Sequence, residues 1–328
     1  MANENLSCLI CTHQAPVSIK ALLDSLRMQD WRLGDEVILI DNGVATGRLA
    51  ELEEPLRELR ACGPKVLLEK ENCLGLTNAR LKAFALAKNP WLVLLDDDNV
   101  LAPDALKSLH KCLEAHPELG GICPQIVPLW EHPPAAWTLA LGHQVLSYNT
   151  SSLSQPPYTF ALWKSGVVGM RPPGGGMIVH RRAAEEFMKL AEVDETVRNL
   201  GRKGKALACG EDFVLYDFLY RLGFPTAYDN SIVIHHQISS RRMEFSYLLR
   251  LLYFCNWTFG GMALRRFGRK KVLYAGLRGT ARLIYGFAQQ SLTVISWRIV
   301  VGLLAALAGC WFGTLSAFFE RGPARLNS

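Results

Sequence analysis

Residues 91–99 read WLVLLDDDN, an apolar run suited to a sheet interior that ends in three carboxylates and an amide. A buried strand of this kind delivers its charges to one spot, where like charges resist burial unless something positive offsets them. Solvent does so on an ordinary acidic turn; a bound cation does so at a site. Upstream, LSCLICTH (6–13), DEVILIDNG (35–43) and PKVLLEKEN (64–72) repeat the design: an apolar run, then polar residues.

The segments between these runs have helical spacing. PVSIKALLDSLRMQ (16–29) places Ile19, Leu22, Leu23 and Leu26 on one face. ATGRLAELEEPLRELRACG (45–63) is charged, with Pro55 a potential kink, and LTNARLKAFALAKN (76–89) follows. APDALKSLHKCLEAHPE (102–118) begins with Pro103 and Asp104, where a helix start favours them. Strands alternating with helices imply βαβ units, an α/β fold with a mostly parallel, Rossmann-like sheet flanked by helices. Ligands in such sheets lie beyond the carboxyl ends of the strands. Thr12, His13, Asp41, Asn42, Glu71, Asn72 and Asp96–Asn99 all fall at those ends, so four strands converge on one rim.

After residue 120 the rhythm loosens. PLWEHPPAAW (128–137) and the stretch 147–165 read as loops rich in Pro, Trp and polar residues. RPPGGGMIVHRRAAEEF (171–187) is a glycine turn, a short strand and a helix. CGEDFVLYDFLYRLG (209–223) is an amphipathic helix with acids at its start, and PTAYDNSIVIHHQ (225–237) a strand ending in paired histidines.

Composition limits the classes. The 328 residues are 49% hydrophobic and 20% charged, as in a globular protein. The net charge of +6 is uneven: between Glu244 and Glu320 there is no acid but nine Lys or Arg. Nine scattered cysteines suit a reducing compartment. Cys8 and Cys11 form a C-x-x-C without a second pair at zinc spacing, which reads as buried thiols rather than a metal or redox site. The N-terminus reaches a strand without a basic segment, so no signal peptide is expected.

Asp96 and Asp98 share a side of an extended strand, because strand side chains alternate. Together with a phosphate they suit a hard divalent cation, Mn2+ or Mg2+; the simpler alternative is an acidic turn into a helix. Glu211 and Asp212 open a helix whose dipole stabilises negative charge, as a general base requires and as simple capping would also explain. Gly174, Gly175 and Gly176 let backbone approach a ligand closely or serve only a tight turn. No G-K-[ST] follows, so they are not a phosphate P-loop. Trp130, Trp137 and Trp163 are sugar-stacking platforms or packing residues. His235 and His236 alternate faces, one toward a metal and the other toward the core.

Seven segments in order carry a resemblance over residues 5–243: CLICTHQAP, EVILIDNG, ENCLGLTNAR, LLDDDN, PPGGGMIVHR, CGEDF and VIHHQISSRR. The chain resembles a family 2 glycosyltransferase of the GT-A fold, a mostly inverting group that uses nucleotide-sugars. The resemblance implies that Thr12 contacts the nucleoside and that Asp41 reads a uracil or thymine imide. It assigns Asn72, Arg80, Asp96 and Asp97 to the donor, with Arg80 reaching the diphosphate or Asp96. Asp98 and His236, or His235, would hold the metal. Asp212 would be the base, with Glu211 beside it on the acceptor side, and Gly174–Gly176 with Trp137 would lie under the sugars. DNGVATG lacks the Ser-x-Asp common in the family, which leaves the nucleotide open, and ARLKAF replaces the usual A-R-N-x-G but keeps Arg80.

The catalytic domain is therefore expected over 1–243, followed by a basic and apolar helical, membrane-associating region over 244–328. LRRFGRKKVLYAGLRGTAR (264–282) holds seven basic residues, and IVVGLLAALAGCWFGTLSAFF (299–319) is 21 residues without charge. About 20 such residues suffice to span a bilayer. Attachment to the cytoplasmic face of an inner membrane follows, peripheral, monotopic, or by one span or hairpin within 283–319. A buried helix at a homo-oligomer interface is the alternative. The uncharged neighbour argues for lipid over nucleic acid as the partner of the basic stretch.

The expected activity is metal-dependent, inverting transfer of a hexosyl group from a UDP- or dTDP-sugar. The acceptor is a hydroxyl of a glycan or lipid-linked glycan, in cell-surface polysaccharide assembly. The competing readings are a catalytically inactive scaffold of the same fold at the membrane, and a nucleotidyltransferase. The latter would need a glycine-rich basic loop where CTHQAPVSIK stands.

Overall fold

The computed structural model describes residues 4–13, 19–43, 48–143, 145–149, 159–164, 172–202, 207, 209–267, 269–291 and 297–319. The start of the first expected helix, the turn after Gly43 and most of the 147–165 loop lie outside the described residues.

Strands β1 (Leu6–Thr12), β2 (Glu36–Asp41), β3 (Lys65–Lys70) and β4 (Trp91–Asp96) alternate with helices α1 (Lys20–Arg27), α2 (Arg48–Arg60) and α3 (Leu76–Leu86). Helix α2 runs through Pro55. The four strands are parallel in the order β3-β2-β1-β4. Their register sets Thr12 opposite Asp41 and Cys11 opposite Asp96, so the polar ends emerge at one level.

The rest of the sheet is mixed. A parallel crossover needs a dozen or more residues, whereas only Asp97 and Asp98 separate β4 from β5 (Asn99–Leu101). Helix α4 (Ala105–Ala115), β6 (Gly121–Trp130), α5 (Ala136–Gly142), β7 (Phe160–Trp163), β8 (Ile178–His180), α6 (Arg181–Val193), α7 (Glu195–Arg198), α8 (Glu211–Arg221) and β9 (Thr226–Ile238) follow. The sheet continues β4-β8-β6-β9-β5, with β7 also on β9. Of these pairings only β6 with β9 is parallel.

Apolar residues on both faces of the central strands explain the two main cores. One gathers Leu22, Leu56 and Leu109 of α1, α2 and α4; the other gathers Ala83, Phe187 and Leu215 of α3, α6 and α8. Cys8 lies in the first and Cys11 in the second, so the C-x-x-C straddles the sheet and its sulfurs cannot share a metal. Both are buried free thiols, and burial pushes the Cys11 thiol up to about 12.

Three helices complete the chain: α9 (Phe245–Phe267), α10 (Arg269–Ser291) and α11 (Trp297–Phe319). Leu248, Leu251 and Leu252 of α9 share a third core with Ile126 of β6, Ile238 of β9 and Leu141 of α5. Helix α11 lies directly on α9. A Cβ at Gly309 would sit 2.1 Å from the Tyr253 carbonyl oxygen, and one at Gly313 would sit 1.9 Å from that of Trp257. Among the described residues α11 alone is long and apolar enough to cross a membrane.

Candidate active site

The carboxyl ends of β1, β2 and β4 form the expected rim. Thr12 donates from Oγ1 to Asp97 Oδ2 at 2.8 Å, coupling two strand ends. Asp41 is buried, and its Oδ1 accepts from the Gly43 backbone N–H at 3.0 Å. Asn42, which the sequence offers only as one rim residue, organises the next loop. Its amide donates to the Glu71 and Cys73 carbonyls and accepts from the Gly75 N–H. Asn72 is exposed on that loop.

The DDDN turn is tied from within. Asn99 is buried, and its side-chain oxygen accepts from the Asp96 backbone N–H at 2.9 Å, closing the turn over Asp97 and Asp98. The positive charge that the acids demand comes from three arginines. Arg80, 4% exposed, projects from α3 between two elements. Its Nη2 lies 3.2 Å from Asp96 Oδ1, and its Nη1 lies 2.9 Å from Glu211 Oε1. Arg242, on the short 3-10 turn Ser240–Met243, puts Nη2 at 2.7 Å from Asp98 Oδ2. Arg202 adds positive potential at Asp96 and Asp98.

The glycine turn packs on this network. A Cβ at Gly174 would meet Arg80 Nη1 at 3.0 Å and Asp212 Cβ at 3.4 Å. A Cβ at Gly175 would lie 2.4 Å from Asp96 Oδ2. Gly176 closes the turn against Ile126. Residue 210, at φ +123°, turns the chain into α8, so Glu211 and Asp212 occupy its first turn. Glu211 is buried on Arg80, whereas Asp212 is half-buried and accepts from the Phe213 N–H at 2.9 Å. The expectation of Glu211 on the acceptor side is thus corrected: its carboxylate is turned inward to neutralise the guanidinium.

Antiparallel pairing of Asn99 with His236 carries the histidine to the acids. His236 Nε2 lies 3.5 Å from Asp98 Oδ2 and 2.8 Å from Arg242 Nη1. A guanidinium only donates, so Nε2 accepts from Arg242 and the 3.5 Å approach to Asp98 is not a hydrogen bond. His235 sits one residue earlier, opposite Val100, and so projects from the other side of β9. His236, not His235, is the histidine delivered to Asp98.

For a divalent cation the donor set has a fit. Among the described residues Asp98 Oδ1 is buried without a hydrogen-bond partner, and His236 Nε2, the ring nitrogen that faces Asp98, would be free to ligate once Arg242 released it. A carboxylate and an imidazole complemented by substrate phosphate oxygens and water suit Mg2+ or Mn2+. Among the described residues no group of three or more His, Cys, Asp or Glu forms a ready-made cage. The protein contributes two side chains, and Arg242 bridges them.

Burial divides the acids electrostatically. It pushes Asp97 up to about 7, with Asp98 and Asp96 adding repulsion against the Thr12 hydrogen bond. Burial also raises Glu211 to about 7, opposed by Arg80 and reinforced by Asp212. Asp212 is raised in the same way, with Arg80 opposing. For Asp98 burial is overcome by His236, Arg242 and Arg202, which hold it well below the usual carboxylate range. Carboxylates driven apart in this way are suited to separate roles, cation binding at one and proton uptake at another.

Trp137 differs from expectation. Its ring meets Phe245 edge-on, with centroids 5.5 Å apart, and the Arg298 guanidinium lies 4.7 Å over its face. It packs the junction with the C-terminal helices instead of offering a platform to a sugar. Trp130 packs edge-on against Tyr148. Arg242 is the functional residue that sequence reasoning passed over: ISSRR stood in a matched segment, but only folding shows which arginine returns to Asp98.

Comparison with known proteins bears on the family and the fold. Residues 7–128 match the family described as Glycosyl transferase family 2, which covers the parallel half of the sheet and the DDDN turn. No curated protein matches the sequence. Among solved structures, S. aureus TarS 1-349 is similar at TM-score 0.51 and 12% identity, over 95% of this chain and 90% of that one. PcManGT from Pyrobaculum calidifontis, a mannosyltransferase in complex with GDP-Man and Mn2+, is similar at TM-score 0.54 and 16% identity, over 96% and 84%. At these identities the likeness is one of fold.

Proposed function

We infer, from the premise that this chain is a family 2 glycosyltransferase of GT-A fold, that it moves a sugar with inversion from a nucleotide-sugar to an acceptor hydroxyl. The acceptor is a glycan or lipid-linked glycan at the cytoplasmic face of a membrane, and the donor is UDP- or dTDP-linked. One observation carries the reading. Arg80 ties the strand-end acid Asp96 to Glu211, and the adjacent Asp212, beside the glycine turn, makes no ion pair with an arginine among the described residues.

Thr12 and Asp41 would take the nucleoside, and Asp96 with Asn72 the ribose or donor sugar. Asp98 and His236 would hold Mn2+ or Mg2+. Such an ion supplies Lewis-acid neutralisation of the leaving diphosphate, and Arg242 stands where it adds to that charge. The acceptor oxygen bonds to the anomeric carbon while the carbon–oxygen bond to the diphosphate breaks, its electron pair leaving with the diphosphate. Asp212 takes the acceptor proton. Burial raises its pKa, which makes it more basic than an exposed carboxylate, and its place in the first turn of α8 holds it rigidly.

The test is thermal stabilisation by a panel of nucleotide-sugars with and without Mn2+, GDP-mannose included because PcManGT binds it. Asp212→Asn should keep donor-dependent stabilisation and lose turnover by about 10²-fold or more. A fully active Asp212→Asn enzyme would remove Asp212 as the base, and a panel without any stabilising donor would overturn the reading.

A further inference from the structure

The C-terminal helices expose an apolar surface that the catalytic reading does not use. On α11 the inward face carries small residues, Gly302, Ala306, Gly309 and Gly313 among them, pressed on α5 and α9. The outward face exposes Trp297, Val300, Leu304, Phe312, Leu315 and Phe319. Steps of three, four or eight residues make these one stripe along a helix of about 35 Å. The stripe has no charge.

Helix α10 lies beside α11: Thr314 would touch a Cβ at Gly276, and Val272 and Ala275 share a small core with Ala317. Around its exposed side the helical period sorts residues by chemistry. Leu273, Leu277 and Ile284 form one edge, Tyr274 and Tyr285 the middle, and Lys271, Arg278 and Arg282 the other edge. Apolar, then tyrosine, then basic is the gradient a helix meets across a bilayer interface, from acyl chains to headgroup phosphates.

We infer that α10 and α11 lie in the plane of an anionic phospholipid surface, with their apolar stripes in the acyl boundary and Lys271, Arg278 and Arg282 on the headgroup phosphates. The inference specifies the membrane attachment of the preceding reading and is independent of its chemistry. Two observations set the occupant. No acid lies between Glu244 and Glu320, so a second copy apposed through these helices would meet basic residues with basic residues. Crossing the bilayer would strip α11 from α9 and α5, where Gly309 and Gly313 seat it on backbone. Only one stripe of α11 is therefore available to lipid.

The experiment is co-sedimentation of the full chain with vesicles of phosphatidylcholine alone or mixed with phosphatidylglycerol, at low and high salt. Binding should favour the anionic vesicles and weaken with salt. Arg278→Ala and Arg282→Ala should each lower partitioning about five-fold, and Arg278→Lys with Arg282→Lys should restore it. Leu277→Asp (57% exposed) and Leu304→Asp (58% exposed) should abolish binding while leaving nucleotide-sugar stabilisation intact. Equal binding to both vesicles would overturn the inference, as would a discrete dimer that never sediments with lipid, or a chain that only detergent extracts. Loss of vesicle binding by wild type with intact donor binding would sink the surface and leave the transferase reading standing.

Discussion

Arg80 Nη1 and Glu211 Oε1 lie 2.9 Å apart, joining residues 131 positions apart in the chain in a buried ion pair. Helix α3 contributes one partner and the first turn of α8 the other, so the pair fixes the distance between the strand-end acid Asp96, which also meets Arg80, and Asp212. Removing one partner of a buried pair strands the other charge without water.

Arg80→Met should therefore destabilise the protein by about 3–5 kcal/mol. Urea unfolding measures this, and Arg80→Lys should recover part of it. A loss under about 1 kcal/mol would mean that the pair is solvated and does not tie α3 to α8.

Gly175→Ala should be more damaging to activity than to folding. Its methyl carbon would lie 2.4 Å from Asp96 Oδ2, so the carboxylate must leave Arg80 or the turn must move. Overpacking of this sort costs about 1–3 kcal/mol, while a displaced Asp96 should reduce kcat/KM at least tenfold. Kinetics and a thermal melt on the same sample separate the two effects.

Asp97 sets a pH dependence. Its folded pKa of about 7 lies above the ordinary 3.8. The folded protein therefore retains a proton that the unfolded chain has lost, and stability falls as pH rises through that window. Compared with Asp97→Asn, whose amide oxygen still accepts from Thr12, wild type should lose up to about 4 kcal/mol between pH 4 and 7. Denaturant titrations in chelator at several pH values would show it. A constant difference would mean that Asp97 is charged throughout.

Arg242 competes with any cation for Asp98, because its guanidinium already contacts both Asp98 and His236. In the absence of nucleotide, Arg242→Ala should tighten Mn2+ binding by roughly tenfold, equivalent to about 1.4 kcal/mol. Titration followed by the electron paramagnetic resonance of free Mn2+ reads this directly. Weaker binding in the variant would show that Arg242 supports the ion instead of competing with it.

Gly313→Leu should open the α9–α11 contact. The obstacle is the Trp257 carbonyl, 1.9 Å from the added Cβ, and backbone yields less readily than a side-chain tip. A loss of at least about 1–3 kcal/mol is expected, and a thermal melt monitored by Trp fluorescence would report it.

Local pattern sufficed for much of the molecule. Runs such as EVILID and WLVLLD are apolar on both faces, so they form strands buried between helix layers, with polar residues at their ends. That places Thr12, Asp41 and Asp96 on one rim before any coordinates are known. The α8 acids were legible too, because Glu211 and Asp212 precede an amphipathic repeat. What local pattern does not contain is a partner's direction. Glu211 faces Arg80 and Asp212 does not; His236 meets Asp98 and His235 does not; Trp137 packs under Arg298. Each outcome depends on strand register or helix docking between segments far apart in the chain. Sequence determined which chemical groups reach the carboxyl ends of the strands, since periodicity is local. Tertiary structure decided which of them neutralise one another, since charge pairing depends on distances that only the packed sheet sets.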